Sequence, residues 1–297
     1  MDDDHISQVR RFNRTVTQRI GVLDGNYLDS GRPLGEARLL FEIGRDGAAV
    51  RDLRARLGLD SGYLSRMLRE LESAGLVSSQ RDAIDARVRR VALTAAGMQE
   101  WDRLDRRSGE LAAALLAPLG ATQRRRLLAA MGEVERLLRA AAVTVELADP
   151  AGPDAAACIR AYFEELQARL DDGFDPARSV PADPHELVPP SGWFFLARLD
   201  GAALGCGALK TLDDDHGEIK RMWVAPAARG LGIARRLLDA LEAQAAAAGL
   251  DVLRLDTNKH LVEARALYLR GGYVEIPPYN ANPYAHHWFE KRGLRAR

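Results

Sequence analysis

The stretch Glu218-Ile219-Lys220-Arg221-Met222-Trp223-Val224-Ala225-Pro226-Ala227-Ala228-Arg229-Gly230-Leu231-Gly232-Ile233-Ala234 decides the second half of this 297-residue chain. Its first seven residues alternate as a strand does, Pro226 stops the alternation, and Leu237, Leu238 and Leu241 beyond it mark the inward face of a helix. Glycines at a helix N-terminus let backbone N–H groups come close to a phosphate, and the helix dipole favours its negative charge. Two other phosphate loops are excluded. A dinucleotide fingerprint needs a third glycine where Arg235 stands, and a P-loop needs Gly-Lys-Ser/Thr. Taken alone, the turn is also compatible with a tight strand-to-helix connection.

Working outward, Trp193–Leu199 and Ala203–Leu209 flank the hairpin signal Asp200-Gly201, and Leu253–Asn258 is a further strand before a helical Glu263–Tyr268 and Gly271-Gly272-Tyr273. The second half is therefore expected to be α/β. In this setting Arg229-x-x-Gly232-x-Ala234, the Leu267-Tyr268 pair and Gly272-Tyr273 resemble the GNAT superfamily of N-acetyltransferases over about residues 145–291. The resemblance implies a mixed sheet and acetyl-CoA as co-substrate. It places backbone groups of Met222 and Val224 along the thioester and pantetheine arm, and Arg229, Gly230, Leu231, Gly232, Ile233 and Ala234 around the pyrophosphate. Leu261 stands where many relatives carry an Asn, so the pantetheine contact passes to Asn258 or is lost.

The same resemblance gives Glu218 as general base, through water, and Tyr268 as general acid for the departing thiolate; an edge-strand carboxylate and a core aromatic are their alternative roles. Tyr162, Glu165, Phe174, Tyr279, Asn280 and Tyr284 are expected to line the acceptor pocket, where acidic and aromatic groups suit a cationic amine. His286 and His287, adjacent on a strand, point to opposite faces and make a poor metal pair.

In the first half, Val50–Leu57, Gly58-Leu59-Asp60 and Ser61–Ala74 have helix-turn-helix spacing. Leu64, Met67, Leu68 and Leu71 fall at i, i+3, i+4 and i+7, one apolar stripe for the core. Ser61, Tyr63, Ser65, Arg66 and Arg69 lie away from that stripe, a surface that fits a major groove, or the solvent face of a helical hairpin. Leu76-Val77 and Val91-Ala92-Leu93 then bracket an arginine-bearing polar stretch that suits a two-stranded wing. These segments, with Asp85-Ala86-Arg87 and Leu93-Thr94-Ala95-Ala96-Gly97, resemble the MarR family of regulators over about residues 5–142. That implies a winged helix, a double-stranded operator as partner, Arg87 as the wing contact oriented by Asp85, and a homodimer. Ile6, Val9, Val16 and Ile20, with Leu127, Met131, Val134 and Leu138, supply stripes for such an interface, or for packing within the chain.

Composition agrees with two globular domains. The length is about twice the roughly 150 residues of one domain, apolar residues make up 47% and charged residues 28%. No apolar run approaches the roughly 20 residues of a membrane span, and the acidic Met1–His5 start is unlike a secretory signal, so a cytoplasmic protein is expected. Cys158 and Cys206, without neighbouring ligands, suggest neither disulfide nor metal site. The expected organisation is a mainly α winged-helix domain over 1–142, a linker and first strand over 143–153, and an α/β acetyltransferase over 154–297. The function expected is a bifunctional regulator and N-acetyltransferase acting on an amine; the alternative is a regulator that senses acetyl-CoA without turnover. Residues 1–142 contain 24 Arg and no Lys, so the enzyme finds no lysine to acetylate there.

Overall fold

The computed structural model describes residues 3–21, 27–81, 88–171 and 173–295, and divides the chain into two compact units, 1–132 and 133–297. The division lies ten residues before the boundary expected after Ala142.

In the first unit, α1 (Asp3–Arg19), α2 (Leu34–Ile43), β1 (Ala48–Ala49), α3 (Val50–Leu57), α4 (Ser61–Ser73), β2 (Val77–Arg81), β3 (Arg89–Leu93) and α5 (Ala95–Leu116) precede α6 (Ala121–Ala142), whose residues cross the division. Gly58, with φ +60°, ends α3 in the left-handed conformation, and the Asp60 carboxylate caps α4 by accepting from the Tyr63 N–H at 2.9 Å. The expected stripe of Leu64, Met67, Leu68 and Leu71 is buried against Leu39, Leu40, Ile43 and Leu53. Burial of each such side chain contributes about 1.5–3 kcal/mol.

The small sheet has the order β1-β3-β2, with Val77 opposite Leu93 and Arg81 opposite Arg89. It is the wing. Thr94 explains the signature that follows it: its hydroxyl donates to the Gly75 carbonyl at 2.6 Å and accepts from the Gly97 N–H at 3.0 Å. A methyl group at Gly97 would sit 1.9 Å from the Leu76 carbonyl oxygen, so only glycine lets α5 meet the wing.

The second unit is one seven-stranded mixed sheet carrying three complete α-helices among its described residues. β4 (Thr144–Leu147), α7 (Pro153–Arg169), β5 (Gly192–Leu199), β6 (Ala202–Thr211), β7 (His216–Val224), α8 (Ile233–Ala247), β8 (Val252–Thr257), α9 (Val262–Arg270), β9 (Val274–Ile276) and β10 (His287–Arg292) give the sheet order β4-β5-β6-β7-β8-β10-β9. Asp200 and Gly201, with φ +51° and +81°, form the predicted hairpin turn. Thr144–Leu147, in the stretch expected to hold a linker and the start of the first strand, is an edge strand in register with Phe195–Arg198. No helix among the described residues is long and apolar enough to cross a membrane.

Two irregularities open this sheet. β7 and β8 are the parallel pair, yet they pair only over His216–Glu218 with Val252–Arg254. Past that point the strands part. Between Cys206 and Ala208 the β6–β7 register shifts, and Arg221, with φ +56°, forms the bulge. Ile233, Leu237, Leu238 and Leu241 seat α8 on the sheet beside the opening. Cys158 and Cys206 are buried and free.

Candidate functional site

A cleft of about 510 Å³ runs along the β7–α8 turn and the start of α9. Gly230 and Gly232, with φ +82° and +74°, carry the turn, and Gly232 is the residue before α8. A side chain on either would meet nothing within 4 Å, so these glycines are set by backbone conformation and leave the loop face bare. Among the described residues no backbone acceptor pairs with the N–H groups of Gly230–Ala234. They converge at the positive end of the α8 dipole, the arrangement that favours an anionic phosphate. Arg169, Arg229, Arg235 and Arg270 line the same cleft. The donor set fits the pyrophosphate of a coenzyme A thioester.

Arg229 is held in place by donating from Nε to the Val224 carbonyl at 3.2 Å and from Nη2 to Glu165 at 2.5 Å. Glu165, expected in the acceptor pocket, lies here instead: it also accepts from Trp223 Nε1 at 2.9 Å and Arg169 Nη1 at 3.1 Å. Burial alone would raise its pKa, but the donors from Arg169, Trp223 and Arg229 outweigh it and hold the carboxyl below the usual range. From α6, Arg136 Nη1 donates to the Gly230 carbonyl at 3.1 Å.

A smaller chamber of about 80 Å³ adjoins the cleft, and Tyr162, Met222, Leu261, Ala264 and Tyr268 line both. Tyr268 is 5% exposed, and burial pushes its phenol well above the usual value, so it keeps its proton. Burial likewise takes Tyr162 up to about 12, although Arg221 pulls the other way. Phe174 and Tyr284 face the chamber, with ring centroids 4.9 Å apart. Lys220, Arg221 and Asp256, which sequence reasoning did not single out for a pocket, face it too, with Asn282 of the Tyr279–Tyr284 segment.

Glu218, at 2% exposure, stands behind Lys220. Its Oε1 accepts from Tyr279 Oη at 2.8 Å and Asn280 Nδ2 at 3.2 Å and lies 2.9 Å from Lys220 Nζ. Asn280 Nδ2 donates equally to Asp256 at 2.8 Å, and Asn282 Nδ2 to the other Asp256 oxygen at 2.6 Å. Tyr279 and Asn280 therefore frame a carboxylate pair instead of contacting an acceptor directly. Asn258 is committed locally: its amide donates to the Tyr284 carbonyl at 2.7 Å and its oxygen accepts from the His260 N–H at 2.9 Å. It lines the inner chamber, while Leu261 borders the cleft where a pantetheine contact was expected.

The model of the acetyltransferase (GNAT) family matches residues 158–273. An IAA acetyltransferase of Azospirillum brasilense is 38% identical over 123 residues, 41% of this chain and 79% of that protein. The chain belongs to the GNAT family. The GNAT unit is an N-acetyltransferase whose co-substrate is acetyl-CoA. A GNAT acetyltransferase of Elizabethkingia anophelis, solved with acetyl-CoA bound, is 17% identical at a TM-score of 0.36, covering 51% of this chain and 98% of that one. Among the described residues no cluster of His, Cys, Asp or Glu is arranged to hold a metal ion.

Ahead of the GNAT unit, residues 30–87 match the MarR family model. The PcaV transcriptional regulator of Streptomyces coelicolor is 22% identical at a TM-score of 0.34, covering 43% of this chain and 89% of that one. Ser61, Tyr63, Arg66 and Arg69 are exposed on α4 and Ser65 is half-buried. Arg66 lies over the Tyr63 ring, 5.7 Å from its centroid, and Arg69 Nε donates to the Ser65 carbonyl at 3.2 Å. Glu72 ties α4 to the wing through Arg89 at 3.1 Å and the Ser79 hydroxyl. Arg87 and Asp85 lie outside the described residues.

Proposed function

We propose that the chain unites two activities: operator-DNA binding as a homodimer through residues 1–142, and acetyl transfer from acetyl-CoA to an amine by residues 154–297. The observation that carries the enzymatic half is the continuity of cleft and chamber across Tyr268. A thioester laid along Met222 and Val224 from the Gly230–Ala234 loop brings its acyl carbon to that junction.

The attacking amine forms a new C–N bond, loses a proton, and expels coenzyme A as a thiolate. Tyr268, kept protonated by burial, gives its proton to that sulfur. The Glu218–Asp256 pair, bridged by Lys220 and Asn280, takes the amine proton, with Asp256 on the chamber side. Each positioned acid or base contributes about 10²–10⁴ in rate. Sensing acetyl-CoA without turnover is disfavoured, because binding the coenzyme alone has no use for a second chamber, lined by Lys220 and Asp256, that adjoins the cleft at Tyr268.

For DNA, Ser61, Tyr63, Ser65, Arg66 and Arg69 would enter the major groove, with the wing at its flank. The dimer reading rests on α1 and α6, which bury none of their residues and expose Val9, Phe12, Met131 and Leu138. Purified full-length protein, acetyl-CoA and a mixed amine panel, read by mass spectrometry, test transfer. A gel-shift series on genomic fragments tests DNA binding. Absence of any acetylated amine removes the enzymatic half; binding to no fragment above the non-specific level removes the other.

A further inference from the structure

Strand alternation would send Lys220 and Met222 to one face of β7 and Arg221 to the other. The bulge at Arg221 cancels this, and all three line the inner chamber. Lys220 is matched there, 2.9 Å from Glu218 and 3.7 Å from Asp256. Arg221 is not. Among the described residues no carboxylate pairs with it, and its guanidinium carbon lies over the Phe163 ring, 4.8 Å from the centroid. Stacking leaves the N–H edge of a guanidinium available, and that edge matches a carboxylate in bidentate fashion.

The chamber is thus polarised. Glu218 and Asp256 share the single charge of Lys220, which leaves one negative charge in excess on that side, and Arg221 supplies one positive charge on the other. A simple cationic amine satisfies only the first. We propose that the acceptor is a small amine that also carries a carboxylate, an α-amino acid, with its amino group toward Asp256 and its carboxylate on Arg221. This rests on the acetyltransferase reading above and names its substrate class. The small volume, about 80 Å³, agrees with a compact acceptor.

The test uses matched pairs that differ in the carboxylate: L-alanine with ethylamine, L-valine with isobutylamine, L-leucine with isopentylamine, and L-glutamate with 4-aminobutyrate, in which the α-carboxylate is absent. Thiol release from acetyl-CoA gives kcat/KM for each, and calorimetric titration of the coenzyme A-loaded protein gives affinity whether or not transfer occurs. At least one amino acid is expected to exceed its partner by about ten- to a hundredfold, the scale of a charged hydrogen-bonded pair. Arg221→Met should bring that ratio to about one, and Arg221→Lys should retain part of it, with coenzyme A affinity measured alongside to verify the fold. Equal handling of every pair, or a preference that survives Arg221→Met, overturns the proposal. Carboxylate-dependent binding with no acetyl product on any amine leaves the Arg221 assignment standing and removes the enzymatic reading instead.

Discussion

Glu165 Oε2 lies 2.5 Å from Arg229 Nη2, so a carboxylate on α7 sets the position of the guanidinium at the edge of the pyrophosphate loop. Its depressed native pKa adds stability above the unfolded value of about 4.3 and loses it as pH falls through the native value. Glu165→Gln should therefore show a shallower loss of Tm than the parent protein between about pH 5 and 3, and a severalfold weaker coenzyme A affinity at pH 7. Parallel Tm curves would exclude the anchoring role.

Gly232 holds a left-handed conformation that a β-branched residue resists by about 1–2 kcal/mol. Gly232→Val is expected to lower Tm by a few degrees and to raise the coenzyme A dissociation constant at least tenfold, by turning N–H groups of the loop away from the phosphate. Undiminished affinity by calorimetry would move the pyrophosphate elsewhere.

Tyr268→Phe should lower kcat by about 10² or more with coenzyme A affinity retained. Because burial raises the Tyr268 pKa above its usual value of about 10, kcat should show no falling limb from this group between pH 7 and 10. Glu218→Gln and Asp256→Asn are expected to slow transfer as well, and a double variant no slower than the worse single one would mark them as one unit. Full activity in both single variants would leave the proton to solvent.

On the DNA side, Arg69→Ala should weaken operator binding by about 1–3 kcal/mol, measured by fluorescence anisotropy at fixed salt. Met131→Asp, on the exposed face of α6, should shift the protein from dimer to monomer in light scattering. A monomeric parent protein, or a variant of unchanged mass, would refute the interface.

The sequence disclosed most where a residue's neighbours in the chain decide its environment. Leu64, Met67, Leu68 and Leu71 are buried as their spacing predicts, and Gly230 and Gly232 turn the chain where a phosphate loop needs it. It disclosed least where a distant partner decides. Glu165 looked like an acceptor contact, but Trp223, 58 residues away, and Arg229, 64 away, draw it to the cofactor side. Asn258 looked free for pantetheine, yet Tyr284 and His260 satisfy its amide. Arg221 was illegible because arginine carries no local signal for positive φ, unlike the glycines.

The bulge acts on β7 as a change of parity. Before Arg221 it is the odd-numbered Ile219 that packs into the core beneath α8, and after it the even-numbered Met222 and Val224 do so, so the alternation reverses across the bulge. One continuous strand thus serves an acceptor and a donor whose demands fall on different faces. Deleting a single residue there would restore a regular ladder and keep every remaining side chain chemically intact. It would leave the two halves of the reaction out of step, a loss of function that no inventory of residues would reveal.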